Sequence, residues 1–157
     1  MNLFSHKVPQ ILAFSRAEAQ RLFSAVIRPE HLLLGIIRSE DPAIGNLFSS
    51  FHLKAADLKR QLEIKIEKGE TMPREADMTL HETTSNILKL AILEARLMKN
   101  QDVDTLHLLL AILHDQAGNL AKDILETNNM QYNAILDFVK HTASTSSDNY
   151  FINDDEI

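Results

Sequence analysis

Cysteine is absent from this chain of 157 residues, and tryptophan is absent as well. Without cysteine, disulfide bonds, thiolate zinc sites, iron–sulfur clusters and thiol catalysis are excluded, and the composition fits a reducing compartment. The first residues form no basic segment followed by an apolar run, and no later stretch approaches the roughly 18 apolar residues that a membrane span needs. We therefore expect a cytoplasmic protein with no membrane partner.

Positive charge is scarce, and most of it lies in the first half of the chain. The net charge is −6; residues 1–68 carry 10 basic and 7 acidic side chains, whereas residues 69–157 carry 6 basic and 15 acidic ones. A surface of that sign repels a phosphate backbone over most of its area. No nucleic-acid partner is expected.

Glycine and proline, with four of each, are too few to interrupt the chain often. The interruptions fall between segments whose apolar residues recur every three or four positions, which is the period of an α-helix. One face of the first segment consists of Val8, Ile11, Leu12, Ser15, Ala19, Leu22 and Phe23. Ser5 is expected to cap that helix, which makes Pro9 its fourth residue. The pattern predicts an all-α protein.

An internal repeat is the most informative pattern in the sequence. His31-Leu32-Leu33-Leu34 recurs as His107-Leu108-Leu109-Leu110, an offset of 76 (107 minus 31). At the same offset, Ile11-Leu12 and Glu18-Ala19 recur as Ile87-Leu88 and Glu94-Ala95. After Asp41-Pro42 the offset becomes 77, and Leu47-Phe48, Leu53, Leu58 and Leu62 match Ile124-Leu125, Met130, Ile135 and Val139. The change of one corresponds to a residue inserted in a turn.

The apolar pattern predicts four helices in each copy of the repeat. A long helix is followed by a short one beginning near Pro29 or Thr105, by another after Asp41-Pro42 or Ala117-Gly118, and by a closing amphipathic helix. Two units that each leave an apolar face uncovered pack together about a pseudo-twofold axis. We therefore predict a single compact all-α domain, an eight-helix pseudo-twofold duplication of a four-helix unit.

The repeat and the local composition also predict the boundaries. The domain takes residues 1–141, with repeat one at about 4–68, a connecting loop at 69–79 and repeat two at about 80–141. The connecting loop is polar and contains Pro73, so we expect it to be exposed. Residues 142–157 are rich in Ser, Thr, Asn and Asp, and are expected to form a flexible linker or tail.

A duplicated four-helix unit that carries Pro29-Glu30-His31-Leu32-Leu33-Leu34-Gly35-Ile36-Ile37 resembles the Clp N-terminal domain, and most closely that of the ClpC-type unfoldases. The resemblance covers residues 4 to about 141. It implies a non-catalytic domain that docks substrates and adaptors on a hexameric AAA+ ATPase, which unfolds clients and feeds them to a peptidase. The isolated domain is expected to be a monomer.

Nucleotide-binding chemistry is not expected in this domain. Gly35, Gly45, Gly69 and Gly118 are too scattered for a phosphate-binding loop, and no Gly-x-x-x-x-Gly-Lys-Ser/Thr sequence occurs. The resemblance therefore implies no cofactor here, with ATP and magnesium in an AAA+ module downstream. The alternative is a free-standing Clp N-domain regulator that docks on a Clp ATPase or peptidase.

The resemblance also implies a ligand. ClpC members recognise phosphoarginine through a glutamate of the Glu-His-Leu-Leu element, and this places Glu30 at the guanidinium, with Arg28 and His31 beside it. A carboxylate suits the planar guanidinium, and N–H groups at a helix start suit the phosphate. Repeat two has Leu106 at the matching position and Asp104 nearby, so its pocket is doubtful. The plainer interpretation of Glu30 is a carboxylate that stabilises its own helix start.

His31 and His107 are equivalent and admit two interpretations. They either fix the start of a packed helix through a hydrogen bond, or they take part in metal binding or acid–base chemistry. We favour the first, because His114, seven residues after His107, has no third ligand at zinc-site spacing. No metal is expected. A small all-α hydrolase using one of these histidines as base is a distant alternative that lacks a nucleophile.

The segment His81-Glu82-Thr83-Thr84-Ser85 begins like a zinc-protease motif but has Ser85 where the second histidine must lie. It is better explained as a helix start capped by Thr83, Thr84 or Ser85. No Gly-x-Ser-x-Gly turn or matched Ser/His/Asp order is present either. The domain is not expected to be an enzyme.

Apolar residues ahead of the long helices form a second candidate surface. Phe4 and Leu80 are equivalent (80 minus 4 is 76), and Met78 lies two positions before Leu80. Such residues either staple a helix entry or form a patch for an adaptor helix or an extended client segment. Phe4, Leu80 and Met78 are therefore candidate partner-binding residues, with adaptor proteins and unfolded or phosphoarginine-marked clients as the expected partners.

Overall fold

The computed structural model describes residues 3–142, and helices account for most of them. Repeat one contributes α1 (Lys7–Arg21), α2 (Pro29–Arg38), α3 (Pro42–Ser50) and α4 (Ala55–Lys65), and repeat two contributes α5 (Glu82–Leu97), α6 (Thr105–His114), α7 (Leu120–Thr127) and α8 (132–142). Between them lie the two-residue strands β1 (Val26–Ile27) and β2 (Thr79–Leu80) and a 3-10 turn at Glu75–Asp77. The predicted all-α, eight-helix duplication is confirmed within residues 3–142.

Short polar side chains cap the N-terminus of the third helix in each repeat. Asp41 Oδ1 accepts a hydrogen bond of 3.0 Å from the Ala43 N–H at the start of α3. Asn119 Oδ1 accepts one of 2.7 Å from the Lys122 N–H at the start of α7. Each bond satisfies an N–H group that a helix start leaves without an intrahelical partner.

The start of α1 differs from the prediction by one residue. His6 occupies the cap position and its side chain makes no capping bond, so Ser5 is not the cap residue. Ser5 Oγ still accepts 3.3 Å from the Lys7 N–H, and it donates to Asp104 Oδ1 of repeat two at 3.0 Å. Pro9 is then the third helical residue, where no intrahelical bond to its nitrogen is required.

The start of α5 is capped by a histidine and not by the hydroxyl residues that the sequence favoured. His81 Nδ1 accepts 3.1 Å from the Thr83 N–H. Thr84 is fully buried, and its hydroxyl donates to the Ile27 carbonyl oxygen at 2.8 Å. That bond ties the first turn of α5 to β1 of the other repeat, so Thr84 has an inter-repeat role.

One large apolar cluster joins the two repeats. Leu33 and Leu109, equivalent residues of α2 and α6, are both 0% exposed. The shifted register of the later helices places Leu58 and Ile135 in the same cluster, also at 0% exposure. Because both offsets bring matched residues into a shared interior, the two copies complete a single core.

The segments ahead of the helices are exchanged between the repeats. β1 and β2 pair in parallel, with Ile27 opposite Leu80, and Phe4 forms an isolated parallel bridge with Val103. These two pairs are equivalent, since 27 and 4 plus 76 give 103 and 80. In both places the entry to the first helix of one repeat pairs with the entry to the second helix of the other. The exchange follows the pseudo-twofold relation.

The first and second helices of repeat one cross at a glycine. A Cβ atom built on Gly35 of α2 would lie 2.3 Å from Ser15 Oγ and 2.7 Å from the Ile11 carbonyl oxygen of α1. Repeat two has Ala111 and Ala91 at the positions equivalent to Gly35 and Ser15. The approach in repeat one is therefore close enough to require glycine.

A buried carboxylate anchors each long helix to the end of the next. Glu18 and Glu94 are equivalent and are 5% and 1% exposed. Arg38 Nη1 lies 3.5 Å from Glu18 Oε2, and His114, the equivalent of Arg38, places Nδ1 2.5 Å from Glu94 Oε1. The Tyr132 hydroxyl donates to Glu94 Oε2 at 2.7 Å, and burial together with that carboxylate raises the pKa of Tyr132 to about 12.

The connection between the repeats at residues 69–79 was predicted to be exposed, and the structure shows that part of it is buried. Met78 is 8% exposed and packs with Ala19 and Ile27, because Thr79 already belongs to β2. The 3-10 turn before it is exposed. Of the tail predicted at 142–157, Thr142 lies in α8, and residues 143–157 lie outside the described residues.

Candidate functional site

Two equivalent histidines fix the starts of α2 and α6. His31 Nδ1 accepts 2.9 Å from the Arg28 N–H, and His107 Nδ1 accepts 2.8 Å from the Asp104 N–H. Burial lowers the pKa of His31 to about 4, with the charge of Arg28 acting in the same direction. Burial also lowers the pKa of His107, although Asp104 opposes the change. Both rings are hydrogen-bonded helix starters, which is the first of the two interpretations given above.

The second ring nitrogen distinguishes the two histidines. His107 Nε2 lies 2.8 Å from Asn100 Oδ1. His31 Nε2 is buried and has no hydrogen-bond partner among the residues that the structure describes. The repeats therefore share one hydrogen bond at this position and differ in the other.

A surface cavity of about 580 Å³ lies at the start of α2. It brings together the three residues predicted from the Glu-His-Leu-Leu element, namely Arg28, Glu30 and His31. The remaining walls come from the turn after α1 and from the end of α4 and the chain that follows: Phe23, Ser24, Ala25, Lys65, Ile66, Glu67, Lys68 and Gly69. The volume falls in the range typical of small-ligand sites.

Glu30 is the partly buried carboxylate of this cavity. Burial raises the pKa of Glu30, while its own backbone N–H and the positive charges of Arg28 and His81 act in the opposite direction. The contribution of its own N–H fits the plainer interpretation of a helix-start carboxylate. The His81 N–H donates to the Ile27 carbonyl oxygen at 2.9 Å, so the start of α5, from repeat two, lies beside the segment that leads into α2.

The equivalent surface of repeat two has a different character. Leu106, which replaces the glutamate, lines an apolar groove of about 360 Å³ together with Ile44, Leu47 and Phe138. Asp104 faces repeat one, where it accepts from Ser5 Oγ at 3.0 Å. Among the described residues that line this groove, none is charged, in contrast to the cavity in repeat one.

The structure separates the candidate partner-binding residues. Phe4 is partly buried against the main core beside Val103. Leu80 is 40% exposed, whereas Met78 is 8% exposed and offers a partner little surface. Leu80 is therefore the member of this group that is accessible at the surface.

Within residues 3–142, no three His, Asp or Glu side chains lie close enough together to hold a metal ion. His114 is hydrogen-bonded to Glu94, and His31 and His107 use Nδ1 to hold backbone N–H groups. In the same part of the chain, no helix has the length and hydrophobicity to cross a membrane.

The sequence missed the residues that α4 and the turn after α1 bring to the cavity. Lys65 and Lys68 lie more than thirty positions from Glu30, and only the tertiary fold places them on the same cavity. Ser24 had a signal that was available, since it corresponds to Asn100 at the offset of 76. That signal becomes informative only when Asn100 is known to contact His107.

A helical duplication with a mixed-charge cavity at one helix start places the chain among two-repeat helical domains. The Clp repeat (R) N-terminal domain family matches residues 3–128, and the chain belongs to that family. The domain is non-catalytic as a member of this family, and its solved neighbours include N-terminal domains.

Curated relatives are much longer than this chain. The negative regulator of genetic competence ClpC/MecB of Bacillus subtilis is 27% identical over 121 residues, which are 76% of this chain. The ATP-dependent Clp protease ATP-binding subunit ClpC of Staphylococcus epidermidis is 28% identical over 120 residues, or 75% of the chain. The match spans 14% of the length of each relative.

Solved structures share the fold at low sequence identity. A chain from structural investigations of a malarial protein secretion system superimposes with a TM-score of 0.75 at 21% identity, covering 90% of this chain and 95% of its own. The Hsp104 N-terminal domain of Candida albicans gives 0.67 at 22% identity, with 84% and 85% coverage. The N-terminal domain of ClpD from Arabidopsis thaliana gives 0.65 at 21% identity, with 88% and 95% coverage.

Proposed function

We propose that this chain is the substrate- and adaptor-recognition domain of a Clp AAA+ unfoldase, and that its first repeat binds phosphoarginine on marked clients. The family membership supports the first part of this proposal. The cavity at the start of α2 supports the second. The ATPase hexamer and the peptidase would act through the parent chain, with ATP and magnesium bound there.

The arrangement of charge around the cavity is the observation that carries the phosphoarginine proposal. Glu30 offers a carboxylate, and Arg28, Lys65 and Lys68 supply three cations on the same cavity. Phosphoarginine joins a planar guanidinium to a phosphoryl group, so it needs an acceptor and a cationic region side by side. The cavity offers both within one volume.

The sequence of repeat two supports only one phosphoarginine site per chain, the one in repeat one. Its position equivalent to Glu30 is Leu106, in an apolar groove with Phe138 and Val139. A guanidinium placed there would lose hydration without gaining a carboxylate acceptor. We therefore propose one phosphoarginine site per chain, and assign the apolar groove and Leu80 to adaptor or unfolded-client contacts.

Calorimetric titration of phosphoarginine into the protein tests the proposal. We expect saturable binding at one site, lost in Glu30→Ala because the guanidinium then has no carboxylate. Glu67→Gln is the matched control, since Glu67 lines the same cavity from the segment after α4 and is exposed. That control should retain binding.

The stoichiometry and the variants decide between outcomes. Two sites per chain would contradict the loss of the second pocket at Leu106. Binding that survives Glu30→Ala would remove Glu30 from the site. An absence of binding at millimolar ligand would refute the phosphoarginine proposal, leaving adaptor and unfolded-client docking as the function.

The gene sequence tests the broader proposal. A nucleotide-binding Gly-x-x-x-x-Gly-Lys-Ser/Thr sequence encoded after Ile157 would support a domain of a longer unfoldase. A stop codon there would favour the free-standing regulator that docks on a Clp ATPase or peptidase.

A further inference from the structure

A groove of about 460 Å³ lies between α5 and α8 on the surface of repeat two. Its walls combine apolar side chains, one tyrosine, one glutamate and two lysines: Leu97, Met98, Leu136, Val139, Tyr132, Glu94, Lys99 and Lys140. Leu97 is 71% exposed, and Leu93, about one turn earlier on α5, is 51% exposed. Large apolar side chains that stay exposed beside a groove are typical of a surface that another segment covers.

The equivalent groove of repeat one has charged residues at the matching positions. Leu97 corresponds to Arg21 at the offset of 76, and Leu136 corresponds to Lys59 at the offset of 77. Arg21 and Lys59 both line the groove of repeat one, and Arg21 forms an ion pair with Glu63 of α4. Leu97 cannot form such a pair. The duplication therefore shows that an apolar surface at this place is a property of repeat two and not of the fold.

The charge that the α5–α8 groove offers at its surface is positive. Glu94 is buried, and its two oxygens are already engaged, one with His114 Nδ1 at 2.5 Å and one with the Tyr132 hydroxyl at 2.7 Å. Lys99 and Lys140, in contrast, are exposed. An apolar groove with lysines beside it suits an apolar segment that is followed by acidic residues.

The chain itself contains a segment of this composition. Residues 150–152 are Tyr-Phe-Ile, and residues 154–156 are Asp-Asp-Glu. We call residues 150–157 the apolar-acidic segment. Residues 142–149, which join it to α8, are rich in serine and threonine, a composition typical of a linker. Its three acidic side chains complement the two lysines of the groove.

The linker is long enough for the segment to reach the groove. Leu136 and Thr142 are six residues apart on α8, which corresponds to about 9 Å along the helix. The eight steps from Thr142 to Tyr150 span up to about 26–29 Å when extended. The segment can therefore turn back along α8 and reach the groove. A tether of this length also keeps the segment at an effective concentration on the order of millimolar.

We propose that the apolar-acidic segment docks in the α5–α8 groove of its own chain, with residues 150–152 against Leu97 and Leu136 and residues 154–156 beside the two lysines. Docking covers the exposed leucine and brings opposite charges together. A partner that binds this face of repeat two must first displace the segment. This inference goes beyond the proposed function, and it holds whichever ligand the cavity of repeat one binds.

Methyl NMR of the full chain tests the docking. The resonances of Leu97 and Leu136 are compared between the unchanged chain and Phe151→Ser. We expect these resonances to shift, because an aromatic ring in contact with a methyl group changes the chemical shift of that group. The resonances of Ile37, which lines the equivalent groove of repeat one, should stay unchanged. Ser146→Ala, within the linker, is the matched control and should shift none of them.

Lys140→Glu tests the charge complementarity. The variant places at position 140 the residue that repeat one has at the matching position, Glu63, and so opposes the acidic residues with a negative charge. The docked fraction, measured by the Leu97 shift, should fall at least threefold. Adding Asp154→Lys and Asp155→Lys should restore it. A docked fraction that ignores these charges would overturn the proposed contact.

Leu97→Arg provides an independent check, because it places the residue of repeat one at an exposed position where folding is not at risk. In that background, Phe151→Ser should no longer shift Leu136, and a full shift would contradict the proposal.

The location of the shifts distinguishes the other possible docking places. Shifts of Ile44 and Leu47 in Phe151→Ser would place the segment in the apolar groove beside Leu106 and would overturn the proposal. An absence of shifts at Leu97 and Leu136 would overturn it as well. Shifts that appear only as the protein concentration rises would indicate docking between two copies, which would contradict docking within one chain.

Discussion

Gly35→Ala tests the close crossing of α1 and α2 with a single methyl group. The new Cβ atom would lie 2.3 Å from Ser15 Oγ and 2.7 Å from the Ile11 carbonyl oxygen. Ser15 itself donates to that carbonyl oxygen at 2.7 Å and is 0% exposed. Neither atom has free space to move into, and the carbonyl belongs to the backbone of α1. The helices must therefore separate.

The expected change in the free energy of unfolding combines two opposing effects. Alanine is favoured over glycine inside a helix by roughly 1 kcal/mol. Forcing an extra methyl group into a packed interior costs roughly 1–3 kcal/mol, and contacts below 3.0 Å with backbone place this site near the upper end. We expect Gly35→Ala to destabilise the protein by about 1–2 kcal/mol net.

Gly45→Ala is the matched control, because a Cβ atom on Gly45 would meet nothing within 4 Å. It should stabilise α3 by about 0.5–1 kcal/mol. Urea unfolding followed by circular dichroism gives both values, and equal slopes confirm that the transitions are comparable. If Gly35→Ala proved as stable as Gly45→Ala, the close crossing would be refuted.

The double variant Ser15→Ala with Gly35→Ala sharpens the test. It reproduces the residues of repeat two, Ala91 and Ala111, and removes the hydroxyl that lies nearest the new methyl group. We expect the pair to recover about 1 kcal/mol of the loss, a coupling typical of residues in contact. Strict additivity of the two single changes would contradict contact between these positions.

Three further predictions concern titration, a buried hydrogen bond and a turn. The pKa of His31 is about 4 in the folded protein and 6.5 in the free side chain. As the pH falls, the histidine is therefore protonated in the unfolded chain before it is protonated in the folded one. We expect about 3 kcal/mol of the free energy of unfolding to be lost between pH 6.5 and pH 4. His31→Gln should flatten this slope in denaturant titrations on a Glu30→Gln background, since the raised pKa of Glu30 acts with the opposite sign. Tyr132→Phe removes a 2.7 Å bond to the buried Glu94 carboxylate and should cost about 1.5–3 kcal/mol in urea unfolding. Gly118→Ala should lower the thermal midpoint, because Gly118 has a φ of +83° and an L-residue there costs roughly 1 kcal/mol.

Local periodicity and the repeat were enough to predict the helices and their packing into one core. The second helices begin at Pro29 and Thr105 as predicted. The signal is local, because the repeated His-Leu-Leu-Leu sequence follows each of these residues closely. The caps of the long helices were harder. His81 caps α5 because its N–H is held by the Ile27 carbonyl oxygen at 2.9 Å, which fixes an extended backbone at the helix start. Pairing between residues so distant in sequence leaves no local signal.

The candidate site was predictable only as far as its residues are neighbours in sequence. Arg28, Glu30 and His31 lie within four positions of the sequence, so a motif that identifies one of them also places the others near the site. Lys65 and Lys68 reach the cavity through the packing of α4. The helix-starting role of the histidines followed from their recurrence, but the different partners of Nε2 required the structure.

The exchanged entry segments have a consequence for how this chain holds together. Phe4 of repeat one needs Val103 of repeat two, and Leu80 of repeat two needs Ile27 of repeat one. A single repeat would carry both halves of this pairing and neither partner, which is the requirement for a symmetric homodimer. The two repeats are thus arranged like the two subunits of a dimer that a covalent connection joins. Because residues 69–77 hold the repeats together, their association does not depend on protein concentration. We expect that cutting this segment would make the association of the two repeats depend on concentration.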